Sequence, residues 1–178
     1  MHIAAHSALE LAGFSHYVPM GKPSLIIFHS KEEGIPKWMN TNELDYSLKF
    51  FSTEIFSDKA LVSFNAKYPC LSASPPELAY LECLHLAPRH YGYMDLYYIM
   101  EQMTTLRPNV LQNLLENTGS NKVKRMFLYM AEKSGHYWYN SLNIGRLALG
   151  TAKYKLVDNG TYVSKYKITI PKELQEYE

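Results

Sequence analysis

The sequence predicts an α+β fold: a small, mostly antiparallel sheet in the N-terminal half, a helical bundle in the middle and a β-hairpin at the C-terminal end. Three observations carry this. Up to residue 73 the chain alternates short aromatic and aliphatic runs with Gly, Pro, Asn and Asp, the pattern of strands and turns. From Ser74-Pro75-Pro76-Glu77 onward apolar residues recur at helical spacing. Around Asp158-Asn159-Gly160 a period of two takes over, on either side of a strong turn signal.

Residues 2–12 read as a short helix, with Ile3, Ala4, Ala8 and Leu11 on one face and Gly13 available as a left-handed stop. Strands are expected over Ser15–Met20, Ser24–His29, Tyr46–Ser52 and Ala60–Cys70, with a single helical turn opening at Pro36-Lys37-Trp38. Ser74 suits an N-cap, Pro75 the first helical position and Glu77 a capping box. Leu78, Leu81 and Leu84 continue that helix to about Pro88; Leu96, Ile99, Met100 and Met103 mark a second, and Val110, Leu111, Leu114 and Leu115 a third after Arg107-Pro108. A fourth spans about Asn121 to Ser134, stopped by Gly135. It has a buried stripe of Val123, Met126, Phe127, Met130 and Ala131, with Lys122, Arg125, Tyr129 and Lys133 on the other side. In the hairpin Tyr154, Leu156, Tyr162, Tyr166, Ile168 and Ile170 hold even positions, facing the bundle, while Lys153, Lys155, Lys165 and Lys167 hold odd ones, facing water. The chain thus divides into a sheet-rich half, 1–73, and a half holding bundle and hairpin, 74–178, together expected as one compact domain.

With 178 residues, 47% apolar and 20% charged, the chain has enough apolar mass for one sizeable core. No apolar run approaches the ~18 residues that span a bilayer, and Met1–Leu11 is amphipathic rather than a secretion signal. Cys70 and Cys83 are too few for a disulfide framework. A cytoplasmic protein with no membrane association is expected.

The usual catalytic patterns fail. Gly21-Lys22-Pro23-Ser24 would need glycine where His16 stands and Ser or Thr where Pro23 stands to be a phosphate-binding loop. His2 and His6 are four apart on the expected helix, but no third ligand sits at a telling spacing. There is no G-x-S-x-G, and Glu77, Glu82, Asp95 and Glu101 are explicable as caps and helix faces. Asp58-Lys59 is a weak match to a nuclease core, in an expected turn. The expectation is a non-enzyme with no metal and no cofactor; a degenerate nuclease is the weakest rival.

Charge is the strongest functional signal. Residues 1–119 hold eight Lys/Arg against twelve Asp/Glu, residues 120–172 ten against two, and the last six none against three. The basic third, with Lys122, Lys124, Arg125, Lys133, Lys153, Lys165 and Lys167 as candidate binding residues, is either a solvated face or a surface for nucleic acid or an acidic partner. His136-Tyr137-Trp138-Tyr139 either stacks bases beside these cations or anchors the last helix to the hairpin through Trp138.

Five segments also resemble, in order, the AbiEi family, the antitoxin component of type IV toxin–antitoxin systems. They are His2–Leu11 with Gly13 and His16-Tyr17, Ser72–Ala79, Leu106–Gln112, Lys122–Tyr129 and Tyr166–Pro171. The resemblance implies a bacterial antitoxin and transcriptional regulator, an abortive-infection device of phage defence. Its functional partner would be a cognate nucleotidyltransferase-like toxin, countered without a stable complex. Family members usually carry a winged-helix DNA-binding domain ahead of the segment matching His2–Leu11, and Met1 stands at that junction. The antitoxin part is therefore expected here, with a nucleic-acid-binding regulator module as the alternative.

Overall fold

The computed structural model describes residues 1–14, 21–40, 44–56, 62–63 and 72–177. The expected strand at Ser15–Met20, most of the one at Ala60–Cys70, and His16, Asp58-Lys59 and Cys70 lie outside the described residues.

The N-terminal sheet is built from β1 (His2–Ile3), β2 (Ser24–His29), β3 (Ser47–Ser52), β4 (Val62–Ser63) and β5 (Ser72–Ala73), in the order β3-β2-β1-β5-β4. It is mixed rather than mostly antiparallel. β1 runs antiparallel to β2 and β4 to β5, but β2–β3 and β1–β5 are parallel. A parallel pair needs a crossover of about a dozen residues or more. The connection from β2 to β3 is long enough to supply one and contains the expected turn, a 3-10 helix at Lys37–Asn40. The first helix, α1 (Ala5–Leu11), is shorter than expected because His2–Ile3 is spent on the sheet.

Four helices follow: α2 (Pro76–Leu86), α3 (Tyr93–Gln102), α4 (Pro108–Asn117) and α5 (Asn121–Ser134), at the places the apolar spacing predicts. Ser120 caps α5 by accepting the Val123 N–H at 3.3 Å, and Gly135 ends it in a left-handed conformation. Nine of the eleven residues of α2 are buried, so this helix has no wet face. Its two carboxylates must therefore find partners inside the protein. Glu82, fully buried, lies 2.8 Å from His2 Nε2, accepts the Ser74 hydroxyl at 2.9 Å and the Ala5 N–H at 2.8 Å. Glu77 accepts the backbone N–H, Nε and Nη2 of Arg107 at 2.8–2.9 Å. The expected capping box is thus absent: Pro75 takes the N-cap position, Ser74 is drawn to Glu82, and Glu77 to Arg107. Tyr80, on the same helix, donates to Leu96 O at 2.8 Å and ties α2 to α3.

The C-terminal part is a three-stranded sheet instead of a two-stranded hairpin. β6 (Tyr154–Lys155) and β7 (Thr161–Val163) do not pair with each other; β8 (Ile168–Ile170) lies between them, parallel to β6 and antiparallel to β7. A turn at residues 164–167, with Lys167 at φ +52°, breaks the expected second strand and folds β8 into the middle. A short α6 (Lys172–Glu176) closes the chain against α3. Buried apolar residues from Ile3 to Leu174 form one continuous cluster.

The clasps on α2 give two testable outcomes. Glu82→Ala leaves three buried donors unpaired and should lower the unfolding free energy by about 3 kcal/mol. Ser74→Ala removes only one and should cost about 1 kcal/mol. Urea denaturation reads both, and equal small losses would show that Glu82 does not hold β1 to α2. For Glu77, burial pushes the carboxyl up, but the Arg107 hydrogen bonds and charge outweigh it and leave it below the ordinary 4.5. A depressed folded-state pKa gives stability that is present above the unfolded value and lost as pH falls through the folded one. Glu77→Gln should therefore be less stable at neutral pH, with a flatter stability profile between pH 5 and pH 2 than the parent, as followed by melting temperature.

Candidate functional site

The basic third was the sequence's one candidate, and the structure divides its seven cations into two groups. Four lie on α5 and are tied to the protein's own carbonyls. Lys122 Nζ donates to Ala87 O, just past the end of α2, at 2.7 Å. Lys124, only 3% exposed, reaches Ala148 O at 3.4 Å. Lys133 donates to Tyr177 O, at the end of α6, and stands 5.7 Å from the Tyr97 ring centre.

Arg125 is the clearest departure from expectation, which placed it on the solvent side of α5. It is 1% exposed. Its Nε donates to Leu149 O at 2.9 Å, its Nη2 to Leu149 O at 2.6 Å and Gly150 O at 2.8 Å, and its Nη1 to Ala152 O and Lys167 O. A guanidinium has five N–H groups, and these five bonds use them all. The plane also lies 5.0 Å from the Tyr154 ring centre. Segment 146–152 can wrap this closely because residue 150 is glycine. Its φ is +73°, and a Cβ there would fall 2.6 Å from Asn121 Nδ2. Arg125 is therefore saturated by backbone and has no donor left for a ligand.

The other three cations belong to the C-terminal sheet. Lys153 is exposed, 5.5 Å from the ring centre of Tyr162, itself 44% exposed. Lys165 is exposed and pairs with Glu132. Lys167 is half-buried. The expected parity holds with two exceptions: Tyr154, Leu156, Tyr166, Ile168 and Ile170 are half or fully buried and Lys153, Lys155 and Lys165 exposed, whereas Tyr162 turns outward beside Lys153 and Lys167 is half-buried. Tyr166 fixes the sheet to α5 by donating to Glu132 Oε2 at 2.8 Å and meeting the Tyr139 hydroxyl at 2.9 Å. Burial, and then those two neighbours, pushes its phenol far above the ordinary range. Lys165 is held above its ordinary value by its hydrogen bond to Glu132. Its charge is secure at neutral pH, but part of it is spent within the protein.

The rival chemistries find little. Among the described residues no three His, Cys, Asp or Glu side chains are placed to hold a metal ion. His2 is engaged by Glu82, and His6 lies 3.5 Å from Glu10 and stacks on Tyr91. Burial, followed by the charge of Glu82, pushes the Cys83 thiol well above its ordinary value, so it is a core residue rather than a nucleophile. Glu77 is tied to Arg107, and Glu101 is exposed beside the Tyr177 hydroxyl. Trp138, 3% exposed, donates to Met103 O at 2.8 Å and stacks on Phe127; the anchoring reading fits, with the grip on α3 and α5 rather than the hairpin. Tyr137, 87% exposed, is the aromatic of that cluster that faces water.

The five segments that carry the sequence resemblance join in space as three clasps. His2–Leu11 meets Ser72–Ala79 and the following turn of α2 at Glu82. Ser72–Ala79 meets Leu106–Gln112 through Glu77 and Arg107. Lys122–Tyr129 meets Tyr166–Pro171 through Arg125 and Lys167.

Comparison with known proteins agrees. A family model described as transcriptional regulator, AbiEi antitoxin, type IV TA system, matches residues 22–171. No curated protein matches the chain. Among solved structures the fold is similar to that of the RV2827C protein from Mycobacterium tuberculosis, with a TM-score of 0.67 at 13% identity. That match covers 95% of this chain and 61% of the other, so the chain spans less than two thirds of its solved neighbour.

If Arg125 is the structural keystone described above, Arg125→Met should destabilise the protein by about 3 kcal/mol, since the carbonyls it serves lose their donors in a low-polarity site. Amide hydrogen exchange should accelerate across residues 146–156 and 167–170 while α1 and β1 keep their protection. Uniform acceleration over the whole chain would contradict a local tether.

Proposed function

Since the chain belongs to the AbiEi family of type IV toxin–antitoxin transcriptional regulators, we propose that it supplies the antitoxin activity of such a pair. It opposes a nucleotidyltransferase-like toxin in the bacterial cytoplasm through the outer face of its C-terminal sheet. The family is one of regulators and antitoxins, not of enzymes, and the reading asks no catalysis of these residues. The observation that carries it is the division of the cations. Lys122, Lys124, Arg125 and Lys133 are tied to backbone carbonyls, whereas the C-terminal sheet and its turns present Lys153 and Lys167, without a carboxylate partner among the described residues, and Lys165, exposed though paired with Glu132 as Lys155 is with Asp158, beside exposed Tyr162. Lysines at the surface attract phosphate-bearing targets as point charges, at a strength set by salt. A toxin countered without a stable complex would be opposed through such a target.

A second reading, a nucleic-acid-binding regulator module, is favoured by the pairing of Lys153 with the exposed Tyr162 ring. A cation beside an accessible aromatic face suits a splayed base next to its phosphate.

Co-expression with the neighbouring toxin should rescue growth. The triple variant Lys153→Glu, Lys165→Gln, Lys167→Gln should abolish rescue while leaving the circular dichroism spectrum unchanged. Persistent rescue by the folded triple variant would rule out this face. For the second reading, affinity for a short oligonucleotide should fall steeply with salt; a flat response would exclude it.

A further inference from the structure

A groove of about 590 Å³ lies where Ser52–Ile55, at the end of β3, meets His85 of α2, the first turn of α5 and Tyr154. Its volume falls in the range typical of small-molecule sites, about 300–1,000 Å³. What distinguishes it is the state of its polar side chains. Among the described residues the Lys31 ammonium has no carboxylate partner, and the His85 ring, the Asn121 amide and the Tyr154 hydroxyl have no hydrogen-bond partner. Ser120 accepts from Val123 N–H through its oxygen, which leaves its O–H to give. Lys122 spends one of its three N–H groups on Ala87 O and keeps two. This is the reverse of Arg125, every donor of which is used. The groove thus holds unspent donors, those of two cationic lysines among them, and a single carboxylate, Glu54.

The surrounding charges agree. Lys122 is held below its ordinary value by burial and then by the neighbouring Arg89, and His85 by burial and then by Lys122. Lys122 and Arg89 are like charges held near one another, and a bound anion would offset their repulsion.

We propose that this groove binds a phosphorylated sugar, such as that of a nucleotide, its phosphate group received by Lys31, His85, Lys122, Ser120 and Asn121, and a sugar hydroxyl donating to Glu54. Phosphate offers only acceptors at neutral pH apart from a single exchangeable proton, which matches the unspent donors. The lone carboxylate, repulsive to phosphate itself, suits the hydroxyls beside it. The site is separate from the outer face of the C-terminal sheet and does not rest on the antitoxin reading.

Calorimetric titration of the full chain in low-salt buffer tests it, with AMP, adenosine and orthophosphate as probes. AMP should bind saturably, adenosine at least about tenfold more weakly, and orthophosphate should compete with AMP. Lys31→Gln and His85→Gln should each weaken AMP binding about fivefold or more with unchanged melting temperature, while Lys165→Gln leaves it intact. Lys122→Gln should weaken it further, but it also cuts the tether to Ala87, so the decision rests on the other two variants. Equal affinity for AMP and adenosine, no saturable heat at millimolar AMP, or full affinity in both Lys31→Gln and His85→Gln would overturn the assignment.

Discussion

The helix α2 is buried at every residue but Pro76 and His85, and it carries two carboxylates. The buried polar contacts that join β1, α1 and the approach to α2 follow from that constraint. A buried ion without a partner costs several kcal/mol, so the fold is stable only when something reaches each carboxylate. At Glu82 the partners are His2, Ala5 and Ser74, drawn from three places in the chain. They fix where β1 enters the sheet, how α1 starts and how the chain approaches α2. At Glu77 the partner is Arg107, whose backbone and side chain are both held, and that sets the start of α4. The sheet and the bundle are joined because one buried helix cannot leave its charges alone.

The C-terminal half solves the opposite problem. There the buried ion is a cation, Arg125, and its partners are carbonyls rather than carboxylates. Four uncharged carbonyls, that of Leu149 accepting twice, satisfy the guanidinium's five hydrogen bonds without cancelling its charge. The cation also lies over Tyr154, whose ring face adds favourable electrostatics. The use of carbonyls has a structural consequence. A carboxylate would have tied α5 to one side chain, whereas carbonyls from Leu149 to Lys167 tie it to a whole segment and to the sheet beyond it. The outer lysines are presented by a sheet held to α5 by Arg125 and by Tyr166 on Glu132.

This difference explains what the amino-acid sequence made legible. Helices α3, α4 and α5 follow from apolar spacing because each has one dry and one wetter face. Lys153 and Lys165 lie on the outside as the alternation of the sequence predicts, although Lys153 precedes β6 and Lys165 lies in the turn before β8. Arg125 was misplaced because its partners are backbone carbonyls, which leave no signature in side-chain sequence. The available hints were indirect: an arginine running straight into Met-Phe-Leu, and Gly150 in a segment otherwise free to carry a side chain. β1 and β5, two residues each, are too short to show a period, and their pairing is set by contacts far apart in the chain. Ser74 had the right chemistry for a cap, but Glu82 offered its hydroxyl a buried charged acceptor, which is worth more than a backbone N–H at the helix surface.

The same logic separates family likeness from function. The resembling segments are those that close the three clasps, so what they report is the fold. A surface that meets an outside partner is under no such geometric demand. Lysines on an open sheet face can move by a position and still present charge, and a groove can gather donors from four distant segments, as Lys31, His85, Lys122 and Tyr154 are gathered here. Neither arrangement produces a contiguous motif. The division into saturated and unsaturated donors is therefore the more informative guide to function. Arg125, the most buried cation, is closed to any ligand, while Lys122, three residues earlier on the same helix, still has two hydrogens to give.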